Sequence, residues 1–506
     1  MTTAPVWSVD PRTGKRRERA AAEADTHEVA RVVTAAHAAR DALADRAARA
    51  LLLRTAADVL DASHARIVEA ADAETALGPT RLSGELARTT AQLRAFADVV
   101  DEGAFLDIRI NHPDPGRTPP WPDLRRYKIP LGVVAVYAAG NFPLALSVAG
   151  ADTASALAAG CPVVVKAHPG HPATAELCAA LLREAARRAG LPEEITAVVH
   201  GFGAGVALIG HPRVAAAGFT GSVRGGRALF DAAAARPEPI PFHGELGSLN
   251  PVVITEAAAA ERAESLGAGL AGSMTLGAGQ FCTKPGLVLA PVGAAGDRLV
   301  AALAAAVGAT EPGVMLDQRL RDAFVAGVRA RAALPSVGTP VTPGPGDAHT
   351  VGAGFLTVPA SLLAEEGPHD LLVEECFGPV TVVARYGSDD EAEAVLARLG
   401  GNLTATLHLS AEEAGGRGRS AGLLARLTPL AGRIVVDGWP TGLAVAPAQH
   451  HGGPYPATTS TATSVGTTAI ERWLRPVTYQ STPDPLLPPE LRELNPLGLP
   501  RTVVRP

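Results

Sequence analysis

Cysteine is scarce in this chain of 506 residues, which holds only Cys161, Cys178, Cys282 and Cys376. Four thiols so widely spaced make no disulfide framework, and no C-x-x-C pair marks a zinc site. No metal centre is therefore expected, and free thiols fit a reducing compartment. A basic excess is missing as well. Lys and Arg number 45 against 51 Asp and Glu, a formal net charge of -6, so the electrostatic footprint of a nucleic-acid binder is absent. No run of 18 apolar residues passes without a charge or a Gly/Pro interruption, so no transmembrane helix is predicted. The opening MTTAPVWSVDPRTGKRRERA has no apolar segment ahead of its charges, and a secretory signal is not expected. Internal repeats are missing too. These absences leave a cytoplasmic protein without nucleic-acid or membrane partners as the expectation.

What is present is ordinary globular material, 47% hydrophobic and 19% charged, long enough for two to four domains. Residues 25–103 are rich in Ala, Leu, Arg and Glu with helical periodicity, which predicts several amphipathic helices whose arginines face solvent. Residues 111–123, NHPDPGRTPPWPD, carry five prolines and read as a linker or extended arm. From Leu131 short apolar β-type runs alternate with helical ones: LGVVAVYA, PVVVKA, ITAVVHG and VAAAGFTG. That alternation predicts an α/β fold with a parallel, doubly wound sheet. A second α/β region starts at Glu245 and runs to about residue 450, with a helix over Ala257–Ser273. Residues 337–354 read as a loop insertion, and the Pro-rich tail as a segment that docks on a partner subunit.

Several residues carry chemistry. Cys282 lies in GAGQFCTKPG, where flanking glycines suit a close backbone approach to a ligand. Its thiol is a candidate nucleophile, although a lone cysteine is more often a small buried apolar residue. Glu245, between glycines in FHGELGSLNP, is a candidate general base or else a capping or ion-pairing glutamate. Asn141, in YAAGNFPLAL, follows a strand, where ligands bind in parallel sheets. It is a candidate oxyanion donor or else a helix cap. Gly221 and Ser222 in FTGSVRGGR stand at a strand-to-helix junction suited to a pyrophosphate, although the motif is not GxGxxG. Lys166 ends the strand VVVK and either reaches an adenosine ribose or is an ordinary strand-end lysine. Arg88 and Gln92 share a helix face by i, i+4 spacing and are candidates for a substrate carboxylate, with a solvated arginine as the plainer reading.

Taken together, GNFP, VVVKAHPGHPATA, GFTGS, GELGSLNP, GQFCT and EECFGPV occur in an order that resembles the aldehyde dehydrogenase superfamily over nearly the whole chain from about residue 25. GQFCTKPGLVLA, GNLTATLH, HHGGPYPATTSTATSVGTTAIERWLRPVTYQ and LLPPELRELNPLG look closest to the branch of 2-oxoglutarate semialdehyde (2,5-dioxopentanoate) dehydrogenases and NADP-accepting long-form enzymes. The resemblance implies NAD(P)-dependent oxidation of an aldehyde to an acid through a thiohemiacetal and a thioester on Cys282. Glu245 would activate water, and Asn141 with the N–H of Cys282 would hold the oxyanion. Gly221 and Ser222 would hold the pyrophosphate, Lys166 the adenosine ribose and Glu375 the nicotinamide ribose, with Phe377 near the nicotinamide. It also implies three parts. These are a Rossmann-like cofactor domain (residues 1–112 and 131–244), an α/β catalytic domain (245–450) and a small β bridging arm (113–130 and 471–506), with 451–470 returning to the cofactor domain. The arm implies a homodimer or homotetramer.

Two positions depart from relatives. Pro169 stands where many NAD-specific enzymes carry a ribose-binding glutamate, so NADP is not repelled and the choice between NAD and NADP stays open. Lys284, two residues past the candidate nucleophile, is expected to point outward; an inward ammonium would depress the thiol pKa or attract an anionic substrate. Acyl transfer to coenzyme A and a catalytically inactive homologue are the alternatives.

Overall fold

Strong helix formers make the N-terminal region helical, as its periodicity predicts. α-Helices span Thr26–Ala39, Arg46–Ala62, His64–Thr75 and Pro79–Glu102. The computed structural model describes residues 3–416 and 420–506. The helix Pro79–Glu102 starts on a proline in its first turn and stops at Gly103, whose φ of 73° is free of strain only in glycine. It buries Leu86, Leu93 and Phe96 in the largest hydrophobic core. Its buried Glu85 accepts from the amides of Leu144 and Ala145, both at 2.9 Å, and so fixes the loop that follows Asn141. Ahead of these helices lies an antiparallel hairpin, Pro5–Asp10 with Lys15–Ala22. The exposed run KRRER leaves no apolar alternation by which to foresee it.

Val133–Tyr137 and Val163–Lys166 are almost wholly buried strands, as continuous Val-rich runs should be in a sheet covered on both faces. They belong to a five-stranded parallel sheet. Its spatial order is Thr196–Val199, Val163–Lys166, Val133–Tyr137, Val214–Thr220 and Phe242–Glu245. In chain order this is 3-2-1-4-5, the Rossmann arrangement, with the direction of winding reversing beside the first strand. The carboxyl ends of Val133–Tyr137 and Val214–Thr220 therefore open a crevice, and Asn141, Gly221 and Ser222 follow those ends directly.

The second sheet has seven strands in the order Gly338–Val341, Gly354–Pro359, Val380–Tyr386, Leu287–Pro291, Val252–Ile254, Asn402–His408 and Ala431–Val436. All neighbours are parallel except the antiparallel edge pair, Gly338–Val341 with Gly354–Pro359. The expected helix over Ala257–Ser273 is present as Glu256–Thr275. Residues 337–354 are not a plain loop insertion. They supply that edge strand, and Gly344–Pro345 and Thr350–Gly352 join Gly313–Val314 in a three-stranded sheet. Strands of two to four residues built from Gly and Pro leave no period to read, and an edge tolerates proline.

A third sheet orders Leu474–Gln480, Leu124–Pro130, Ile108–Asn111 and Arg501–Val504. Ile108–Asn111, assigned by sequence to the cofactor part because that part was drawn to residue 112, is hydrogen-bonded into this arm. Between its strands, the proline-rich segment forms only the bridge Asp114 to Trp121. The tail docks on the chain's own arm through Arg501–Val504. Residues 451–470 return to the first sheet. There the amide of Leu246 donates to Ala457 O (2.7 Å) and that of Thr459 to Gly244 O (3.0 Å). Trp473, fully buried, anchors the end of this return by donating its indole N–H to Ser155 Oγ at 2.8 Å. No helix among the described residues is long and apolar enough to cross a membrane.

Candidate active site

The helix Glu256–Thr275 ends in three successive left-handed residues, Gly277, Ala278 and Gly279, with φ of 58°, 54° and 66°. The turn swings the chain hard against residues 378–379, since a Cβ on Gly279 would lie 2.3 Å from Gly378 O. Cys282 follows, half-buried. The glycines around it thus answer to a close approach of backbone to backbone.

Asn250 holds this turn. It is itself left-handed (φ 52°), and its Nδ2 donates to Cys282 O at 2.8 Å and Lys284 O at 2.9 Å. Its Oδ1 accepts from Ser248 Oγ at 2.8 Å and Thr404 Oγ1 at 3.0 Å, and its amide donates to Asn402 Oδ1 at 2.9 Å. Asn250→Ala leaves at least two buried groups unpaired. It should lower stability by at least about 3 kcal/mol, at roughly 1–3 kcal/mol each, in urea unfolding monitored by circular dichroism.

Glu245 ends its strand buried, with Oε1 unpartnered and Oε2 3.1 Å from His451 Nε2. The same Nε2 lies 3.7 Å from Cys282 Sγ. Burial pushes the Glu245 carboxyl up to about 8, against the opposing pull of Arg472. Burial also pushes the Cys282 thiol up to about 12, with the carboxylates of Glu245 and Glu375 adding to it. His451 is held down to about 3, first by burial and then by the positive fields of Arg433, His450 and Arg88. At neutral pH the three groups are therefore uncharged, and the carboxyl O–H donates to Nε2. Glu245 makes neither a helix cap nor an ion pair with Lys or Arg.

Asn141 Nδ2 donates to Gln280 O at 3.1 Å, which brings its amide beside the Cys282 turn. The helix that follows, Ala151–Ala159, has Gly150 at its N-cap, so Asn141 caps nothing. Arg88 and Gln92 face the same pocket as Cys282 and His451. The solvated reading of Arg88 does not hold. Its guanidinium stands 5.1 Å from the centre of the Phe142 ring, half-buried, and pairs with no carboxylate among the described residues. Gln92 is buried and its Nε2 has no partner.

Gly221 and Ser222 are exposed at the crevice. Gly221 donates its amide to Glu245 O at 3.0 Å, and Ser222 Oγ accepts from Gly225 N at 3.2 Å, capping the helix Val223–Ala234. Lys166 Nζ lies 5.0 Å from the Phe202 ring centre, and its ammonium is held down to about 8 by burial and by Arg319. Glu375 is half-buried against Gly247, where a Cβ would meet Glu375 Oε2 at 2.7 Å. Burial pushes Glu375 up to about 7, with Lys284 opposing. Phe377 is half-buried just before Gly378, and Arg331 steadies that segment by donating to Glu374 O at 3.0 Å.

Lys284 does not point outward. It is buried, and its Nζ donates to Val380 O at 2.6 Å. The Asn250 tether holds the backbone of residue 284 inside, so its side chain has only the interior to enter. Sequence reasoning also missed His451 and Asn250. A histidine 169 positions from its cysteine carries no spacing signal, although the pair HisHis at 450–451 stands in the quoted return segment.

The crevice suits a dinucleotide. Phe202 and Val206 of the helix Phe202–Gly210 are 67% and 66% exposed, an apolar wall beside Lys166, and the glycine at 247 leaves the cradle over Glu375 clear of a side chain. Known proteins agree. A model of the aldehyde dehydrogenase family matches residues 2–407. An alpha-ketoglutaric semialdehyde dehydrogenase 2 of Azospirillum brasilense is 47% identical over 90% of this chain and 86% of its own length. An alpha-ketoglutaric semialdehyde dehydrogenase of Acinetobacter baylyi is 43% identical over 87% and 83%. Among solved structures, 3,6-anhydro-L-galactose dehydrogenase superposes with TM-score 0.79 over 94% of this chain and 96% of that one at 24% identity, a likeness of fold. The chain belongs to the aldehyde dehydrogenase family, and its activity is NAD(P)-dependent oxidation of an aldehyde.

Proposed function

We propose that the substrate is a short aldehyde bearing a carboxylate at its far end, of the 2-oxoglutarate semialdehyde class, and that the product is the diacid. One observation carries this reading: an unpaired guanidinium, Arg88, and an unsatisfied buried amide, Gln92 Nε2, share a pocket with Cys282. A carboxylate satisfies both at once, and charge-assisted bonds of this kind are the strong ones. The names of the two bacterial relatives point the same way.

In the mechanism, Cys282 Sγ attacks the aldehyde carbon, and Asn141 Nδ2 with the N–H of Cys282 donates to the developing oxyanion. Losing one such donor typically costs about 100- to 1000-fold in rate. Bound NAD(P) supplies the hydride acceptor. Gly221 and Ser222, at the open N-terminus of Val223–Ala234, hold its pyrophosphate. Lys166 holds the adenosine ribose, Glu375 the nicotinamide ribose, and Phe377 packs near the nicotinamide. Glu245 takes a proton from the water that hydrolyses the thioester on Cys282. Pro169 is exposed and puts no carboxylate beside Lys166, which supports acceptance of NADP alongside NAD. Exposed Leu486 and Leu494 on the tail, 74% and 91% exposed, support a homodimer or homotetramer through the arm. The four free thiols support a cytoplasmic location.

The test is a panel of aldehydes with NAD and with NADP, followed by absorbance of the reduced cofactor. Arg88→Met should raise KM for the carboxylate-bearing semialdehyde about 10- to 100-fold, the worth of one charged hydrogen bond. A neutral aldehyde of equal length should be unaffected. Equal losses on both substrates would remove the carboxylate role.

A further inference from the structure

The family match ends at residue 407, so His451 lies in a stretch that it does not describe. Yet the imidazole stands between the two groups on which the reaction turns. Among the described residues, Nε2 of His451 is the side-chain atom hydrogen-bonded to Cys282 Sγ, at 3.7 Å, and it is 3.1 Å from Glu245 Oε2. No contact joins Sγ to the carboxyl directly. The ring is locked in place, for the His451 amide donates to Thr463 Oγ1 at 2.9 Å and its carbonyl accepts from Ser464 N at 2.9 Å. One nitrogen thus faces both a thiol that must lose a proton and a carboxyl that can take one.

We propose that His451 is a catalytic residue of the first half-reaction: its Nε2 takes the proton of Cys282 as sulfur attacks the aldehyde, and passes it to Glu245. This rests on Cys282 being the nucleophile. In the step, the S–H bond breaks and its proton joins the Nε2 lone pair of the ring tautomer protonated at Nδ1. The sulfur pair forms the S–C bond, and the C=O π pair moves onto oxygen. The imidazolium then gives that proton to ionised Oε2, and the ring is neutral again. The positive groups Arg433, His450 and Arg88 face the ring and disfavour a standing imidazolium, so it serves as a transit point only. The carboxylate on its other side is the group that stabilises it in passing. Glu245 must be ionised to receive the proton, so thiol reactivity should climb through pH of about 8, well below the range of the buried thiol itself.

Alkylation of the full-length enzyme by iodoacetamide, without aldehyde, reads this step alone. The wild type should react at Cys282, located by peptide mass spectrometry, with a rate that rises through pH of about 8. His451→Gln and His451→Asn should react about 100-fold more slowly at neutral pH, the scale of a lost general base, and lose that rise. Melting temperature and NADPH binding serve as controls that a merely structural role would move. Alkylation of either variant within about twofold of wild type, at every pH, would overturn the proposal. Should both variants fail to fold, Glu245→Gln decides it: loss of the rise near pH 8 supports the transfer, and an unchanged profile overturns it. A wild-type label found elsewhere than Cys282 would instead defeat the nucleophile reading.

Discussion

Cys282→Ala should abolish dehydrogenase turnover, with kcat/KM falling by at least about 10⁴-fold, the scale on which enzymes lose a covalent nucleophile. The scaffold should survive the change. Asn250 grips the carbonyl of residue 282, not its sulfur, and the thiol is half-buried with only the Nε2 contact at 3.7 Å. The variant therefore keeps its turn, its pocket and its crevice. Titration with NADPH, followed by fluorescence, should give an affinity close to that of the wild type, while the absorbance assay with any aldehyde reads zero above background. Retained turnover would end the thioester scheme. Lost cofactor binding would show that the substitution acts through the fold.

Glu245→Gln should leave the first hydride transfer possible and stop the second half of the cycle. Gln cannot take a proton from water, so one equivalent of reduced cofactor should form rapidly and a thioester should then persist, its mass readable on the intact protein. Steady-state turnover should fall about 100- to 10,000-fold, the worth of a positioned general base. In the wild type, deacylation should rise with pH as the carboxyl ionises, with a midpoint at about 8, and that limb should vanish in the variant. Stability carries a matching sign. The carboxyl binds its proton more tightly folded than unfolded, so between its unfolded value of 4.5 and its folded value of about 8 the native state holds more protons. Its contribution to stability is full below that window and is lost as pH rises through it. Melting temperatures of Glu245→Gln should therefore fall less than those of the wild type between neutral and alkaline pH.

Period and order made the architecture readable. Buried Val runs such as VVAVY and VVVK have no alternation to lose, and helices of fixed spacing between them leave only a parallel wound sheet. The short strands within 337–354 escaped because Gly and Pro erase any period, and the hairpin Lys15–Ala22 because an exposed strand buries nothing. At the site, Cys282, Glu245, Asn141, Arg88 and Gln92 were visible as residue types at strand ends, in glycine turns or on one helix face. Lys284 was misread because the direction of a side chain after a sharp turn depends on a tether, Asn250, that lies 34 positions away. His451 escaped for the same kind of reason: its meaning comes wholly from where the return segment lays it.

That return segment also bears on how the enzyme can move. Within a few residues it bonds to Gly401 on one side, through Tyr455 O at 3.0 Å, and to Gly244 and Leu246 on the other. A ribbon laced so tightly into both lobes leaves them no hinge to swing on. Exchange of spent dinucleotide for fresh must then proceed by threading along a standing crevice, with rearrangement limited to exposed parts such as Phe202 and residues 221–222, and the proton-handling cluster stays assembled between turnovers.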